Sequence, residues 1–425
     1  MNLKIYKYPS VSAWQGLCQR PMQNSSAIRT SVDKIIYDVA NNGDVALKKY
    51  AEKFDGVVLK NILVSKKEID TAAKQMDPKL KRAILQAKNN IQKFHSSQKQ
   101  PIVKVETSKG ILCWREARAI EKIGLYIPGG SAPLFSTVLM LGIPAMIAKC
   151  KEVVLCTPPD KNGKINDAIL YAASLCGITK IFKTGGAQAI AAMAYGTKSI
   201  PAVFKIFGPG NQFVTAAKQI LQTKVAIDMP AGPSELLVIA DQSAVPEYVA
   251  ADLLAQAEHG PDSQVILVCT NLDIARKVAK AVEVQLSQLP RKDIAEGALQ
   301  HARLIVLKNL NAAVSFSNLY APEHLILACK VNTGLLKKID AAGSVFIGNY
   351  SPESVGDYAS GTNHTLPTNG YATAYSGVSL DSFYKKITFQ QLSKDGLHHI
   401  AKTVSVMAEA EGLQAHSNAV KIRLS

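Results

Sequence analysis

The sequence is poor in paired cysteines, in long apolar runs and in clustered positive charge. Its seven cysteines are an odd number, lie far apart and form no Cys-x-x-Cys pair. This pattern argues against a disulfide framework and a thiolate zinc site, so we expect a cytoplasmic protein. The first ten residues, MNLKIYKYPS, lack the apolar stretch of a secretory signal.

One long uncharged stretch, Gly124 to Ala148, resembles a membrane span in composition. Three prolines and a glycine pair interrupt it: Pro128, Pro133, Pro144 and Gly129-Gly130. Because proline and glycine break a continuous helix, the stretch predicts a strand, a loop and a buried helix. We therefore expect no membrane association.

Positive charge is abundant but dispersed. The 425 residues include 49 Lys and Arg against 33 Asp and Glu, a net charge of +16. Such a surplus can attract nucleic acid, a membrane surface or an anionic small molecule. The basic residues occur singly or in short pairs such as Lys66-Lys67, and aromatic residues make up only 6%. This favours a solvated surface and argues against a nucleic-acid partner.

The chain is long enough for about two to three domains. Short β-branched runs alternate with helical stretches, which predicts parallel α/β layers. The runs are IGLYI (123), VVLC (153), ITKIF (178) and VFKIF (203), and then ELLVIAD (235), VILVC (265) and RLIVL (303). We therefore expect two α/β domains that meet near residues 224–233. Asp77-Pro78 predicts the start of a long helix to Gln98, and a helical C-terminal piece is expected from about Phe389.

Three glycine-rich turns follow predicted strands: PGG at 128–130, GGAQAI at 185–190 and GPGN at 208–211. In a parallel sheet such turns share the carboxyl edge, where backbone N–H groups and helix N-termini can face a phosphate. The full GxGxxG fingerprint is absent. A nucleotide crevice and simple strand-to-helix turns are both compatible with this pattern.

Seven of the eight histidines lie in the last two-fifths of the chain: His259, His301, His324, His364, His398, His399 and His416. QAEHGPDSQ places Gln256 and His259 three apart, on one face of a final helical turn. GDYASGTNH offers Asp357 on a glycine-rich loop, and AEAEGLQAH offers Glu411 with His416. Nitrogen and oxygen ligands without thiolates suit a divalent cation, most commonly zinc. Taken singly, each histidine is better explained by a structural role, and the metal site depends on these residues meeting in space.

Two further segments carry candidate polar groups. YAPEHL places Glu323 beside His324, a carboxylate and an imidazole suited to acid/base catalysis. The alternative is an exposed helix start, where Glu323 favours the helix dipole. DMPAGPSE at 228–235 surrounds Asp228, Ser234 and Glu235 with proline and glycine, and suits either a substrate pocket between domains or a linker.

These segments together resemble the histidinol dehydrogenase family over nearly the whole chain. The matching words are YIPGG (126), GGAQAIAA (185), GPGN (208), DMPAGPSE (228), QAEHGPDSQ (256), APEHL (321), AGSVFIG (342), SPESVGDYASGTNHTLPT (351) and AEAEGLQAH (408). The resemblance implies an α/β fold of two incomplete Rossmann-like domains, one inserted in the other, with small N- and C-terminal helical pieces. The implied ranges are an arm (1–22), a first domain (23–125 and 235–378), a second domain (126–234) and a C-terminal piece (379–425).

The resemblance also implies an activity and its cofactors. Family members oxidise L-histidinol to L-histidine in two NAD-dependent steps through a bound aldehyde, the last step of histidine biosynthesis. By motif, Gln256, His259, Asp357 and His416 match the ligands of one zinc per subunit, which positions the substrate. In the family the last ligand comes from the neighbouring subunit, so a homodimer with His416 in trans is implied.

The remaining roles are likewise implied by the resemblance alone. His324 matches the general base, and Glu323 matches the residue that activates water. Besides the zinc ligands and His324, the expected substrate contacts are Ser234 and Glu411. The expected NAD contacts are Tyr126, Gln188 and Asn211.

Two other classes of function were compared with this one. A zinc hydrolase would use His259, Asp357 and His416 to bind a metal that ionises water. A nucleic-acid-binding protein would depend on the net charge, but the sequence has no basic tract and no stacking motif. We expect the dehydrogenase.

Overall fold

The computed structural model describes residues 3–21, 25–129 and 133–425. Gly130 of the PGG turn and the expected boundary between residues 22 and 23 lie outside the described residues. The strands are Ile5–Lys7 (β1), Lys104–Ser108 (β2), Ile111–Ala119 (β3), Lys122–Tyr126 (β4), Glu152–Thr157 (β5), Lys180–Lys183 (β6), Lys205–Phe207 (β7), Ala226–Ile227 (β8), Glu235–Ala240 (β9), Gln264–Cys269 (β10), Arg303–Val306 (β11), His324–Ala328 (β12), Ser344–Ile347 (β13) and Tyr384–Leu392 (β14).

The helices cover the faces of the sheets. They are Val11–Leu17 (α1), Ser25–Tyr50 (α2), Lys66–Gln75 (α3), Pro78–Ser96 (α4), Phe135–Ala148 (α5), Asp167–Leu175 (α6), Gly186–Tyr195 (α7), Gln212–Leu221 (α8), Pro246–Ala257 (α9), Leu272–Leu286 (α10), Lys292–Leu299 (α11), Leu310–Tyr320 (α12), Thr333–Leu336 (α13), Glu353–Tyr358 (α14), Lys394–Ala410 (α15) and Gln414–Lys421 (α16). A π-helical turn, Ala51–Asp55, follows α2.

Two parallel sheets share one topology. The larger, which we call the first sheet, has the order β1-β11-β10-β9-β12-β13, and the second sheet has the order β6-β5-β4-β7-β8. Counted from β9 in one case and β4 in the other, both contain the order 3-2-1-4-5. This is the Rossmann order without its sixth strand, so both sheets are incomplete Rossmann-like units.

The predicted apolar runs all form strands of these sheets. Runs without alternation are buried on both faces, which requires helices on each side. β9 and β10 are buried along their entire lengths. The sequence interpretation missed β12 and β13, the two strands on the other side of β9 in the first sheet.

The C-terminal piece is not wholly helical, contrary to the expectation. β14 pairs antiparallel with β3 over nine residues, and β2 completes this third sheet. The rings of Phe389 and Trp114 stack with centroids 5.3 Å apart. The segment YKKITFQQL is rich in β-branched and aromatic residues, which favours a strand. Helices α15 and α16 follow it.

The uncharged stretch from Gly124 to Ala148 contains the end of β4 and the mostly buried helix α5, as predicted. The loop expected between them lies partly outside the described residues. Within the described part of the chain, no helix is long and apolar enough to cross a membrane. All seven cysteines are unpaired. Helix α4 begins at Pro78, and the Asp77 carboxylate accepts the Lys79 N–H at 3.0 Å, as the capping pattern predicted.

The domain ranges stay a prediction, but the packing of the N-terminal helices is clear. α2 contacts α7 and α8, α3 contacts α6, and α4 contacts α5. These helices therefore cover the second sheet, although the expected ranges grouped residues 23–125 with the first. Their buried apolar faces, such as Val32 and Ile91, match the faces of α5 to α8. The first sheet is enclosed by α9 to α11 on one face and by α1 and α12 on the other.

Candidate active site

Glu323 and His324 lie where β12 begins, at the amino edge of the first sheet. Both side chains are buried, with 6% and 4% of their surface exposed. The interpretation as an exposed helix start is therefore wrong. His324 is instead the first residue of a central strand, in register with Leu236 of β9. Because β9 and β12 are neighbours, their first residues meet at one edge of the sheet.

The backbone of Glu235, the first residue of β9, orients both candidate catalytic groups. Its N–H donates to Glu323 Oε2 at 2.9 Å, and its carbonyl oxygen lies 3.3 Å from His324 Nδ1. A carbonyl oxygen can only accept, so this contact places the proton of a neutral His324 on Nδ1. Nε2 then carries the lone pair, and it is buried without a hydrogen-bond partner among the described residues.

Three carboxylates surround His324. Its Nδ1 lies 3.8 Å from Glu323 Oε2 and 3.9 Å from Glu353 Oε2, and its Nε2 lies 3.6 Å from Asp357 Oδ1. Burial alone lowers the pKa of an imidazole, but the carboxylates of Glu353, Glu323 and Asp357 outweigh it and raise the pKa of His324 to about 10. Burial raises the pKa of Glu323 to about 8. His324 and Glu323 therefore keep their protons at pH values at which exposed side chains of the same type would release them.

A set of metal donors lies beside this pair. The ligand atoms of His259, Glu353 and Asp357 all lie within 4.8 Å of one another. Gln256 precedes His259 by three residues, and both its side-chain oxygen and nitrogen are buried without a partner in the described structure. Glu353 Oε2 and Asp357 Oδ1 are also unpartnered there. Unsatisfied buried oxygens are costly, so this donor set fits a divalent cation such as zinc.

The local structure around these donors differs in part from the expectation. Gln256 lies in the last turn of α9 and His259 just after it, as predicted. Asp357, expected on a glycine-rich loop, lies instead in the short helix α14. Pro352 precedes this helix and Glu353 occupies its first turn, both of which favour a helix start.

Two residues of the cluster received no role from the sequence. Glu353 precedes Asp357 by four residues, a spacing that places both on one helical face and that SPESVGDY already contained. His364 is half-buried beside them, with Nδ1 2.9 Å from the Asp357 carbonyl oxygen and Nε2 3.0 Å from Thr137 Oγ1. No local pattern in the sequence indicated that contact.

Glu411 and His416 lie apart from the cluster. Glu411 ends α15, His416 lies in α16, and both side chains are exposed. His416 is not among the donors grouped with His259 and Asp357. The described residues of one chain thus bring together Gln256, His259 and Asp357 without the fourth expected ligand.

The segment at 228–235 divides into a structural part and a part at the site. The Asp228 carboxylate forms a buried ion pair with Lys218 and accepts the Gly208 N–H at 2.8 Å. Asp228 therefore holds the GPGN turn. Ser234, half-buried, immediately precedes Glu235.

The Glu235 side chain is itself held from the N-terminal arm. Arg20 Nε and Nη2 contact its two carboxylate oxygens at 2.5 and 2.9 Å, and the Asn369 N–H donates at 2.7 Å. The Arg20 guanidinium also lies 4.1 Å from the centre of the Tyr320 ring. This bidentate pair fixes the strand end that orients Glu323 and His324.

A cavity of about 1210 Å³ opens at the carboxyl edge of the second sheet. Tyr126, Gln188 and Asn211, the three expected NAD contacts, all line it. The Tyr126 hydroxyl accepts the Gly186 N–H at 3.1 Å, and Asn211 Oδ1 caps α8. Gly208 packs so closely against β4 that a Cβ atom at this position would collide with the Tyr126 carbonyl oxygen. The structure thus brings the three glycine-rich turns to one edge.

Two Rossmann-like sheets, a large cavity at a sheet edge and a buried acid/base cluster are the features of an α/β dehydrogenase. Comparison with known proteins is more specific. Residues 18–424 match the family model described as histidinol dehydrogenase. The chain therefore belongs to the histidinol dehydrogenase family.

Individual relatives agree over the full length. Histidinol dehydrogenase of Bacteroides fragilis is 56% identical over 423 residues, which covers 99% of both chains. That of Haemophilus influenzae is 53% identical and covers 100% of this chain and 99% of its own. The crystal structure of histidinol dehydrogenase from Elizabethkingia anophelis is 58% identical, with a TM-score of 0.97 over 99% of this chain and 98% of its own.

Proposed function

We propose that this protein oxidises L-histidinol to L-histidine in two NAD-dependent steps through a bound aldehyde, the last step of histidine biosynthesis. The observation that carries the proposal is the unpartnered Nε2 of His324, buried beside a set of unsatisfied metal donors. Membership of the histidinol dehydrogenase family supplies the substrate.

Zinc is proposed to be held, one ion per subunit, by Gln256, His259 and Asp357, with His416 supplied in trans. The exposed position of His416 on α16 supports a homodimer in which each C-terminal piece completes the other subunit's site. Bound zinc would orient the imidazole and amino nitrogens of histidinol and stabilise nearby negative charge. The cytoplasmic location stays a prediction.

His324 is proposed as the general base. Oxidation of the alcohol releases a proton from the hydroxyl group while the nicotinamide of NAD accepts a hydride from the same carbon. A cation at the neighbouring metal donors would offset the carboxylate charges that raise the pKa of His324 and would favour the neutral ring. The Glu235 carbonyl oxygen holds the proton of that neutral ring on Nδ1, so Nε2 is the atom that accepts the proton of the alcohol. This step forms the aldehyde and one NADH.

Glu323 is proposed to activate water for the second step. The aldehyde must add water before it can lose a second hydride, and Glu323 in its ionised form takes the proton of that water. A cation at the neighbouring metal donors would lower the raised pKa of Glu323 and favour this ionised form. The Glu235 N–H holds Glu323 Oε2, which orients the carboxylate. Oxidation of the hydrated aldehyde then yields the carboxylate of histidine and a second NADH. Ser234 and Glu411 are proposed as further substrate contacts.

NAD is proposed to bind in the cavity at the carboxyl edge of the second sheet, in contact with Tyr126, Gln188 and Asn211. The cavity size and the glycine-rich turns along it support a dinucleotide ligand.

The stoichiometry of NADH formation tests this proposal. Absorbance should show two NADH per L-histidinol, and a chelator should abolish the reaction. One NADH per substrate would mean an ordinary alcohol dehydrogenase. No NADH would contradict the proposal and favour a zinc hydrolase, for which the same metal donors are suited.

The Glu323→Gln variant tests the second step separately. It should slow oxidation of the aldehyde more than oxidation of the alcohol, because only the former needs activated water. The two half-reactions are measured as NADH formed from the aldehyde and from the alcohol. An equal loss in both would argue against the role with water.

A further inference from the structure

A carboxylate without a partner lies in the cavity at the carboxyl edge of the second sheet. Asp55 ends the π-helical turn after α2 and lines the cavity. Its Oδ2 is buried and accepts no hydrogen bond from any described residue. Burial raises the pKa of this carboxyl group to about 6. An unsatisfied carboxylate is unfavourable in the empty protein, and it is suited to a ligand that donates hydrogen bonds.

The other acidic residues of the cavity are accounted for. Asp160 Oδ1 accepts the N–H groups of Asn162 and Lys164 at 2.9 and 2.7 Å, which closes its own turn. Asp167 is exposed in the first turn of α6, where it favours the helix dipole. Among the described residues that line the cavity, Asp55 is thus the carboxylate with a buried oxygen that accepts no hydrogen bond.

The neighbours of Asp55 are those of a nucleoside site. Phe54 also lines the cavity, stacks on Tyr50 with ring centroids 5.5 Å apart and is 52% exposed. Lys53 Nζ lies 5.2 Å from the centre of the Phe54 ring, so an aromatic ring and a cation together line the wall beside Asp55. Thr157 Oγ1 is buried and unpartnered in the same cavity. It ends β5, the second strand in the Rossmann count.

In the ordinary Rossmann arrangement an acidic residue about 20 residues after the glycine-rich turn binds the ribose 2′-hydroxyl. Here the acid that follows β5 is Asp160, which lines the cavity but is exposed and uses Oδ1 to close its own turn. The segment after α2 brings Asp55 to the same cavity. Asp55 thus comes from outside the βαβ unit and offers a buried acceptor, which Asp160 does not.

The cavity is distinct from the candidate catalytic cluster. None of the described residues that line it belongs to the cluster around His324. Four exposed lysines on its wall form no ion pair with another described residue and can face a pyrophosphate: Lys34, Lys53, Lys161 and Lys164. Their charge would attract NAD and NADP alike, so discrimination must come from another group.

We propose that Asp55 accepts hydrogen bonds from the adenosine ribose hydroxyls of the dinucleotide and thereby makes this protein select NAD over NADP. A 2′-phosphate would remove one donor and place negative charge against the carboxylate. The inference rests on the proposed function in requiring a nicotinamide dinucleotide in this cavity. It goes further in naming the residue that selects the dinucleotide.

The test compares Asp55→Asn with Asp167→Asn in the zinc-loaded enzyme. Both variants lose one negative charge from the wall of the same cavity, but only Asp55 has an unpartnered buried oxygen. Initial rates of histidinol oxidation give kcat/KM with NAD and with NADP. A hydrogen bond to a charged group typically contributes about 10- to 100-fold in affinity. Asp55→Asn should therefore lower the preference for NAD by about 10-fold or more, and Asp167→Asn should leave it within about 2-fold.

A second measurement does not depend on turnover. Calorimetry with the wild-type enzyme should show tighter binding of ADP-ribose than of ADP-ribose 2′-phosphate, and Asp55→Ser should remove the difference. An unchanged NAD preference in Asp55→Asn, or equal binding of the two ligands by the wild type, would overturn the assignment of Asp55. If the wild type oxidises histidinol normally in that case, the proposed function survives. A wild type that forms no NADH but discriminates between the two ligands would contradict the function and keep the assignment.

Discussion

The two parallel sheets have the same strand order, yet opposite edges carry their candidate sites. In the second sheet the carboxyl ends of the strands open into the cavity lined by Tyr126, Gln188 and Asn211. In the first sheet the amino ends of β9 and β12 carry the buried cluster around Glu323 and His324. The strand order alone therefore does not determine which edge of a sheet carries the candidate site.

The carboxyl edge of the first sheet shows why its site lies elsewhere. The carboxylate of Asp241, just after β9, accepts hydrogen bonds from the hydroxyl and N–H groups of Ser243 and from the N–H group of Lys330. A smaller polar cavity of about 710 Å³ remains there. At the amino edge, by contrast, buried oxygens of Gln256, Glu353 and Asp357 are unsatisfied. Asn349 Oδ1, just after β13, is also buried and unsatisfied among the described residues at the carboxyl edge. The clustering of several such groups at the amino edge, rather than strand order, therefore distinguishes the two edges.

The largest effect is expected at the amino edge of the first sheet, where the candidate catalytic residues lie. His324→Asn should lower kcat by about 10²- to 10⁴-fold, because a positioned base contributes about that much. Zinc content, measured by elemental analysis, should stay unchanged. His301→Asn, at an exposed histidine, is the control and should leave kcat unaltered. A wild-type rate in His324→Asn would place the chemistry elsewhere.

Mixing of inactive subunits tests whether His416 completes the site at the amino edge of the neighbouring subunit. His259→Asn and His416→Asn should each be inactive, because each removes a proposed zinc ligand. If His416 acts in trans, an equal mixture has one intact site in each heterodimer, and about a quarter of the wild-type activity should return. A mixture of His259→Asn with Asp357→Asn should stay inactive, because both ligands are lost in cis. No recovery despite proven subunit exchange would argue for sites within one chain.

The ion pair behind the amino edge should affect stability. Glu235→Gln leaves the Arg20 cation without its buried partner, which we expect to lower the free energy of unfolding by about 3 kcal/mol. Thermal unfolding checks this. Glu296→Gln, in the exposed pair with Lys292, should change the free energy by less than about 0.5 kcal/mol. Equal Tm values for the two variants would show that the buried pair does not support the strand end.

The smallest effect is expected at the carboxyl edge of the second sheet. The pKa of Asp55 is about 6 in the folded protein and about 4 when unfolded, so the folded state binds the proton more tightly. The contribution of Asp55 to the free energy of unfolding should therefore fall as the pH rises from 4 to 6. Because Asp55 is only half-buried, the cost above pH 6 is about 1 kcal/mol. Asp55→Asn should raise Tm by about 1–2 °C at pH 7.5 and by progressively less towards pH 4. A constant difference across this range would contradict the assignment of the shift to Asp55.

Sequence patterns anticipated the second sheet better than the first. The apolar runs predicted four of its five strands, and the turns GGAQAI and GPGN made a crevice one of two interpretations, because strand, turn and helix N-terminus are adjacent in the chain. The Gln256 and His259 pair was also local, three residues apart on one helix end. The position of Glu323 and His324 at the start of a buried strand was not anticipated, since APEHL suits a helix start equally well.

What the sequence determined by itself is the local structure and the family: the buried strands, the glycine-rich turns and the order of the motifs. Only the tertiary structure decided that Asp357 and Glu353 meet His259. It also decided that the Glu235 backbone orients Glu323 and His324. Finally, it placed Asp55 in a cavity whose other walls come mainly from residues about 100 positions later in the chain. Each of these contacts joins segments far apart in sequence. Their positions depend on how the sheets and their covering helices pack, which no local pattern encodes.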